Sequence, residues 1–215
     1  MAPARERASH RPSTRRPRSD GERSRAAILD AAARLATVDG LEGLTIGRLA
    51  AHTGMSKSGL FAHFGSKEEL QLATVATAEE VFTAEVLEPA RKAPDGLARL
   101  EALCERFMSH VERDVFPGGC FFTSVAGEFD TRPGPVRERV AEFVGRWVGE
   151  LRAAVAAAQR NGELAARADP DQIAFEVQAA LLMANSVYIL YRDPAAFDRA
   201  RTAIAAIIER SRASA

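Results

Sequence analysis

Lys57, Ser58, His63, Ser66 and Lys67 fall within one short run, KSGLFAHFGSK, interleaved with Gly59, Phe61, Ala62 and Gly65. Cations and hydroxyls among small residues suit hydrogen bonding to an anion or to base edges. A lysine at a helix start reaches guanine O6/N7 or a phosphate, and residues without bulk let the backbone approach a groove closely. Elsewhere, His110 with Glu112 and Asp114, or Cys104 with His110, make nominal acid–base or Cys–His pairs. Neither has a glycine nest or a third orienting group nearby; a charged helix end accounts for them, and no enzymatic activity is expected. Cys120 follows Pro117-Gly118-Gly119 near a helix start, where free amides and the helix dipole would lower a thiol pKa. Its two readings are a sensing thiol and an inert buried cysteine. Two cysteines without Cys-x-x-Cys or His-x-x-x-His spacing give neither a disulfide framework nor a zinc site, so no metal and no cofactor is expected.

The elements that must position these residues read as helices. Ile28, Ala31, Ala32 and Leu35 recur at helical spacing and define a first helix that Gly40 stops. Thr45 caps a short second helix, IGRLAAH; Thr53-Gly54 breaks the chain; Ser56 caps a very short third helix that Gly65 ends. Ser66-Lys67-Glu68-Glu69 has capping-box spacing and opens a long fourth helix that runs to Pro89. Two short helices joined by a tight glycine turn form a helix-turn-helix, whose second member lays its N-terminal residues in the DNA major groove. Met55, Leu60 and Phe64 would anchor that helix, leaving Lys57, Ser58, Gly59 and Ala62 outward.

The run TIGRLAAHTGMSKSGLFAHFGSKEEL, residues 45–70, resembles the N-terminal signature of the tetracycline-repressor (TetR) family of bacterial transcription regulators. The matching features are Thr45, Leu49-Ala50, Gly54-Met55-Ser56, Leu60-Phe61-Ala62-His63-Phe64 and Ser66-Lys67-Glu68-Glu69-Leu70. The resemblance implies that Thr45, His63 and Lys67 contact phosphates, and that Arg48, Lys57, Ser58, Gly59 and Ala62 lie at or near base edges, with Ser56 and Phe61 in the same surface. Phe61 stands where many members carry a tyrosine whose hydroxyl bonds a phosphate, so that bond is absent here. The family further implies a repressor that leaves a palindromic operator when a small, largely apolar ligand binds. A helical module binding polyanions or proteins without sequence preference is the alternative.

The expected fold is all-α, with about nine helices. Residues 1–19 form a disordered basic arm, 20–66 the helix-turn-helix domain, and 67–215 a larger ligand-binding and dimerisation domain, with helix four (67–88) as connector. Residues 1–70 hold 12 Lys/Arg against 8 Asp/Glu although the whole chain is neutral, the polarity of a molecule that approaches a polyanion with one end. No apolar h-region follows the arginine-rich start, and the longest uncharged stretch is too short and polar to span a bilayer; a soluble cytoplasmic protein is expected. Bulky residues of the body, Phe82, Phe107, Met108, Phe121, Phe122, Phe143, Trp147 and Met183, with the polar Gln178 and Asn185, suit either a small-molecule pocket or a core. The helix DPDQIAFEVQAALLMANSVYILYRD is apolar nearly all round and needs cover on more than one face. Ala180, Ala184 and Val187, with Phe197, Ala200, Ile204, Ile207 and Ile208 of the last helix, are assigned to a four-helix interface in a homodimer.

Overall fold

The computed structural model describes residues 16–213, with side chains from Gly21 onward. Nine α-helices of eight or more residues, a π-helical segment with a short α turn after it, and no strand occur among the described residues. The first, α1 (Arg16–Asp39), begins four residues before the expected edge of the arm, so Arg16–Ser19 belong to the helix. Pro17 does not prevent this, because a proline in the first turn removes only an amide that has no helical acceptor. The rest of the expected arm lies outside the described residues.

The small helices end and begin where local chemistry demands. Gly40 adopts φ 81° after α1. Thr45 Oγ1 accepts from the Arg48 amide and caps α2 (Ile46–Thr53). Gly54 at φ 69° closes α2, and Ser56 Oγ accepts from the Gly59 amide to cap α3 (Lys57–Phe64). Ser66 Oγ accepts from Glu69 N at the start of α4 (Lys67–Phe82). Only this half of the expected capping box forms, since the Ser66 amide donates to the Phe64 carbonyl instead. Leu49, Leu60, Phe64 and Leu70 are buried in the same core cluster as Ile28, Ala32 and Ala36 of α1, and the Arg25 guanidinium lies over the Phe64 ring.

The connector does not stay α-helical to residue 88. After Phe82 the chain widens into a π-helical segment, Thr83–Leu87, then a last α turn, Glu88–Ala90. Pro89 offers no amide to the Glu85 carbonyl and its ring would crowd that oxygen in an α-helix. In the π segment the Glu88 amide reaches back to Thr83 O, and Val86 and Leu87 stay buried. The body continues with α5 (Leu97–Glu112), α6 (Phe121–Phe129), α7 (Pro135–Arg160), α8 (Pro170–Tyr191) and α9 (Ala195–Arg210). By length and composition alone α8 is apolar enough to cross a membrane, a test that the core helix of a soluble protein also passes; here α5, α7 and α9 pack on it.

The two domains also touch away from α4. Thr37 Oγ1 on α1 accepts from the Gly118 amide at 3.1 Å, and a Cβ on Gly118 would lie 1.9 Å from the Thr37 carbonyl oxygen. Backbone cannot yield as a flexible side chain can, so Gly118→Ala is expected to destabilise the protein by about 2–4 kcal/mol. Gly127→Ala on α6, where an added Cβ meets nothing within 4 Å, should stabilise by about 0.5–1 kcal/mol. Calorimetric melting of both variants checks this; a Gly118→Ala protein melting with the wild type would remove the close approach.

Candidate nucleic-acid interface and body-domain cavity

Helix α3 turns Lys57, Ser58, Phe61 and Ala62 to solvent, while Gly59 and His63 are half-buried. Leu60 and Phe64 bind the opposite face to the domain core. Phe61 is 55% exposed, unusual for a large apolar ring. Thr45, Arg48, Ser56 and Lys67 are exposed too. A Cβ on Gly47 would lie 3.5 Å from the Lys57 side chain, so the lysine stem runs along α2. The result is one face carrying hydroxyls, cations and small residues in reach of a single groove-shaped partner.

Two of these cations are held by carboxylates. Lys67 Nζ lies 2.7 Å from Glu42 Oε1, and Arg48 lies 3.1 Å from Asp39. The Lys67 hydrogen bond is the main cause that lowers the Glu42 pKa, opposed by partial burial and aided by Gln71 and by the charges of Lys67 and Arg132. An arriving polyanion must therefore compete with Glu42 and Asp39 for Lys67 and Arg48.

In the body, a cavity of about 260 Å³ opens between α4, α5, α6, α7 and α8. Phe82, Phe107, Phe122, Phe143 and Trp147 form its aromatic wall, with Cys120, Thr123, Ala126, Val144, Gln178, Leu182 and Ser186 completing it. Phe122 stacks on Phe143 with centroids 3.5 Å apart. Trp147 Nε1–H donates to Gln178 Oε1 at 2.6 Å, which leaves the Gln178 amide NH₂ as a donor for a guest. No charged side chain lines the space, so it suits a largely apolar guest.

One short helix joins this cavity to the small domain. Cys120, Phe122, Thr123 and Ala126 at or near the N-terminal end of α6 face the cavity. Glu128, near its C-terminal end, accepts from the Leu41 amide at 3.1 Å and the Glu42 amide at 3.0 Å. These amides belong to the turn that follows α1 rather than to a helix. Gln71 of α4 holds the same turn by donating to Leu41 O at 3.0 Å. Along α4, Glu79 meets Arg139 and Arg146 of α7 at 2.6 and 2.5 Å.

The family model described as Tetracyclin repressor-like, C-terminal domain matches residues 96–204, about half of the chain. That of bacterial regulatory proteins, tetR family, matches residues 28–74. The chain belongs to the TetR family. It is similar to a TetR transcriptional regulator from Chloroflexus aurantiacus J-10-FL, with 27% identity, 90% of this chain and 98% of that one covered, and a TM-score of 0.83. It is also similar to AibR, solved in complex with isovaleryl coenzyme A and operator DNA, with 25% identity, 85% and 97% covered, and a TM-score of 0.68. PfmR from Thermus thermophilus is 25% identical over 85% of this chain and 97% of its own, with a TM-score of 0.64. No curated protein matches the sequence.

In this TetR-family regulator several residues sit elsewhere than their types suggested. Phe82, Phe107, Phe122, Phe143, Trp147 and Gln178 do meet around the cavity, but Phe121 packs on Phe116 and Phe122 in the core. Met108 is buried beside Cys104 and α9. Met183 is 64% exposed, and Asn185 is buried as the acceptor for the Cys120 amide at 2.9 Å. The sensing-thiol reading of Cys120 is not favoured: the residue is buried, and burial pushes its pKa up rather than down. Of the residues assigned to the dimer face, Ala184, Phe197, Ala200, Ile204, Ile207 and Ile208 are buried within the single subunit, because α9 packs on α8 of the same chain. Ala180 and Val187 are half-buried. Left outside are Phe175, Met183, Leu190 and Tyr191, and a groove lined by Ala180, Met183, Ala184, Val187, Ala196, Arg199, Ala200 and Ala203. The sequence carries no signal for Glu128, whose partners lie 86 and 87 residues away.

Glu128→Gln keeps one oxygen and loses the charge, weakening bonds that contribute about 1.5–3 kcal/mol when an ionised group takes part. Hydrogen exchange of the Leu41 and Glu42 amides should accelerate at least tenfold while core amides of α7 keep their rates. Unchanged exchange at both positions would show that the turn is held by other means.

Proposed function

We propose that this regulator is a homodimeric repressor that reads an inverted-repeat operator with α3 and is released by a small, largely apolar effector in the body cavity. The exposed Lys57, Ser58 and Ala62 on a buried-backed α3 carry the reading of the groove. Thr45, His63 and Lys67 are assigned to phosphates, and Arg48, Ser56, Gly59 and Phe61 to the rim of the same contact. The AibR complex with an acyl coenzyme A and operator DNA supports a small-molecule-responsive reading. The protein acts in the cytoplasm as a binding protein rather than an enzyme: burial pushes the Cys104 thiol up to about 12, and neither ring nitrogen of His110 has a partner.

Release would proceed through α6 as well as α4. A guest that displaces Phe122 or Thr123 moves the helix carrying Glu128, and with it the turn that presents Glu42 to Lys67. Ligand and operator must then weaken each other equally, and a hundredfold effect corresponds to about 2.7 kcal/mol of coupling.

Lys57→Ala should cost about 1–3 kcal/mol in operator binding and alter the preferred half-site. Lys67→Ala should weaken all duplexes alike and flatten the salt dependence by about one unit, with a loss moderated because the free protein already pairs Lys67 with Glu42. Selection from random duplex followed by anisotropy titrations checks both. Recovery of only asymmetric or unrelated sites would sink the two-fold reading.

Assembly is assigned to the α8/α9 groove. Met183→Arg places a charge on a residue already exposed in the subunit, so it should leave the fold intact while converting dimer to monomer in light scattering at micromolar concentration. A variant that stays dimeric moves the interface elsewhere.

A further inference from the structure

His110 on α5 is 1% exposed, and neither Nδ1 nor Nε2 has a hydrogen-bond partner. A neutral imidazole carries one N–H donor and one acceptor, and a buried polar group left unpaired is rare enough to require a cause. Edge-on rings of Phe82 and Phe116 flank it, each with its centroid 5.8 Å away. Glu85 and Arg113, whose charges act on the ring in opposite senses, pair with each other, and neither makes a hydrogen bond to the imidazole. Burial drives the ring toward its neutral form, with a pKa lowered to about 4.

The Phe82 ring that covers His110 also lines the cavity. One aromatic ring therefore touches both an unpaired polar side chain and an uncharged space. That ring is the last residue of regular α-helix before the π segment, and π segments recur at functional sites. The cavity, at about 260 Å³, corresponds to roughly nine water-sized volumes of about 30 Å³, the bulk of a guest of about nine heavy atoms.

We propose that His110 is the concealed polar end of this cavity, and that its guest is an apolar molecule with one terminal hydroxyl or carboxyl group that turns Phe82 aside and hydrogen-bonds the imidazole. A hydroxyl both donates and accepts, so it satisfies whichever ring nitrogen faces it. A carboxylate would instead favour the imidazolium and draw in a proton. The inference rests on the cavity being the effector site.

Three probes of one shape separate these statements: 3-phenylpropan-1-ol, 3-phenylpropanoate and propylbenzene, titrated against the full chain and followed by the fluorescence of Trp147, the sole tryptophan. The alcohol or the acid should bind at least tenfold tighter than propylbenzene. In His110→Phe that preference should vanish while propylbenzene binding remains. In the wild type, imidazole ¹⁵N shifts should move with the preferred probe and not with propylbenzene. A neutral ring on binding identifies the hydroxyl class, and an imidazolium with proton uptake the carboxylate class. Equal affinities for all three probes, or a preference that survives in His110→Phe, would overturn the role of His110 and leave the cavity standing. No probe altering Trp147 would remove the cavity as effector site, and this inference with it. Should His110→Phe fail to fold, the wild-type ¹⁵N shifts decide alone, static imidazole signals counting against the contact.

Discussion

The ring of Phe82 is the point on which the architecture turns. Its centroid lies between 5.2 and 6.4 Å from those of Phe107, His110, Phe122, Phe143 and Trp147, which come from α5, α6 and α7. Aromatic pairs of this kind contribute about 0.5–1.5 kcal/mol each beyond the area they bury. A single side chain thus fastens the far end of the helix that starts at Ser66 to three helices of the body. Close-packed interiors do not allow such a ring to move alone. Whatever enters the cavity must be accommodated by Phe82 and its neighbours, and the change is felt by α4.

The second link has different physics. Helix α6 has nine residues, so at about 1.5 Å per residue it spans roughly 14 Å. Its cavity end and its Glu128 end belong to one stiff rod. Glu128 grips two amides of the turn that follows α1, and that turn carries Glu42, which holds Lys67 and Gln71. A packed aromatic hub on α4 and a charge-assisted clamp on α6 therefore meet at the same small-domain turn. Coupling energies between sites are commonly about 1–3 kcal/mol, the scale of one such clamp, so in the proposed function loosening it would be sufficient to change operator affinity appreciably.

What the sequence revealed follows from the range of each interaction. Thr45, Ser56 and Ser66 cap the helices they were read to cap because a cap is a contact over three residues. Leu60 and Phe64 are buried and Lys57 and Ser58 exposed because a short helix on one support has only one way to face. Phe121 and Phe122 show where this ends: adjacent on α6, one joins the core and the other the cavity wall, and nothing local distinguishes them. His110, read as part of a charged helix end, is sealed by rings contributed from residues 82 and 116. Cys120 looked activated by its helix start, but burial outweighs the dipole.

The same reasoning explains the last pair of helices. Periodicity measures how much of α8 and α9 is apolar, yet it does not say which neighbour covers each stripe. Ile204, Ile207 and Ile208 are used inside the subunit, and the outward groove is mainly alanine, with Met183 and Arg199. Small residues bring helix backbones close, so in the proposed dimer this face makes a tight, poorly deformable seam with Met183 as its knob. A rigid seam has a mechanical consequence. The two-fold axis doubles any displacement made within each subunit, so a shift of about 2 Å in each small domain changes the separation of the two α3 helices by up to about 4 Å against a required spacing of about 34 Å. A mismatch of more than a base-pair step would follow from motions of that size in each subunit, which in the proposed function would let a cavity of modest size govern binding to DNA.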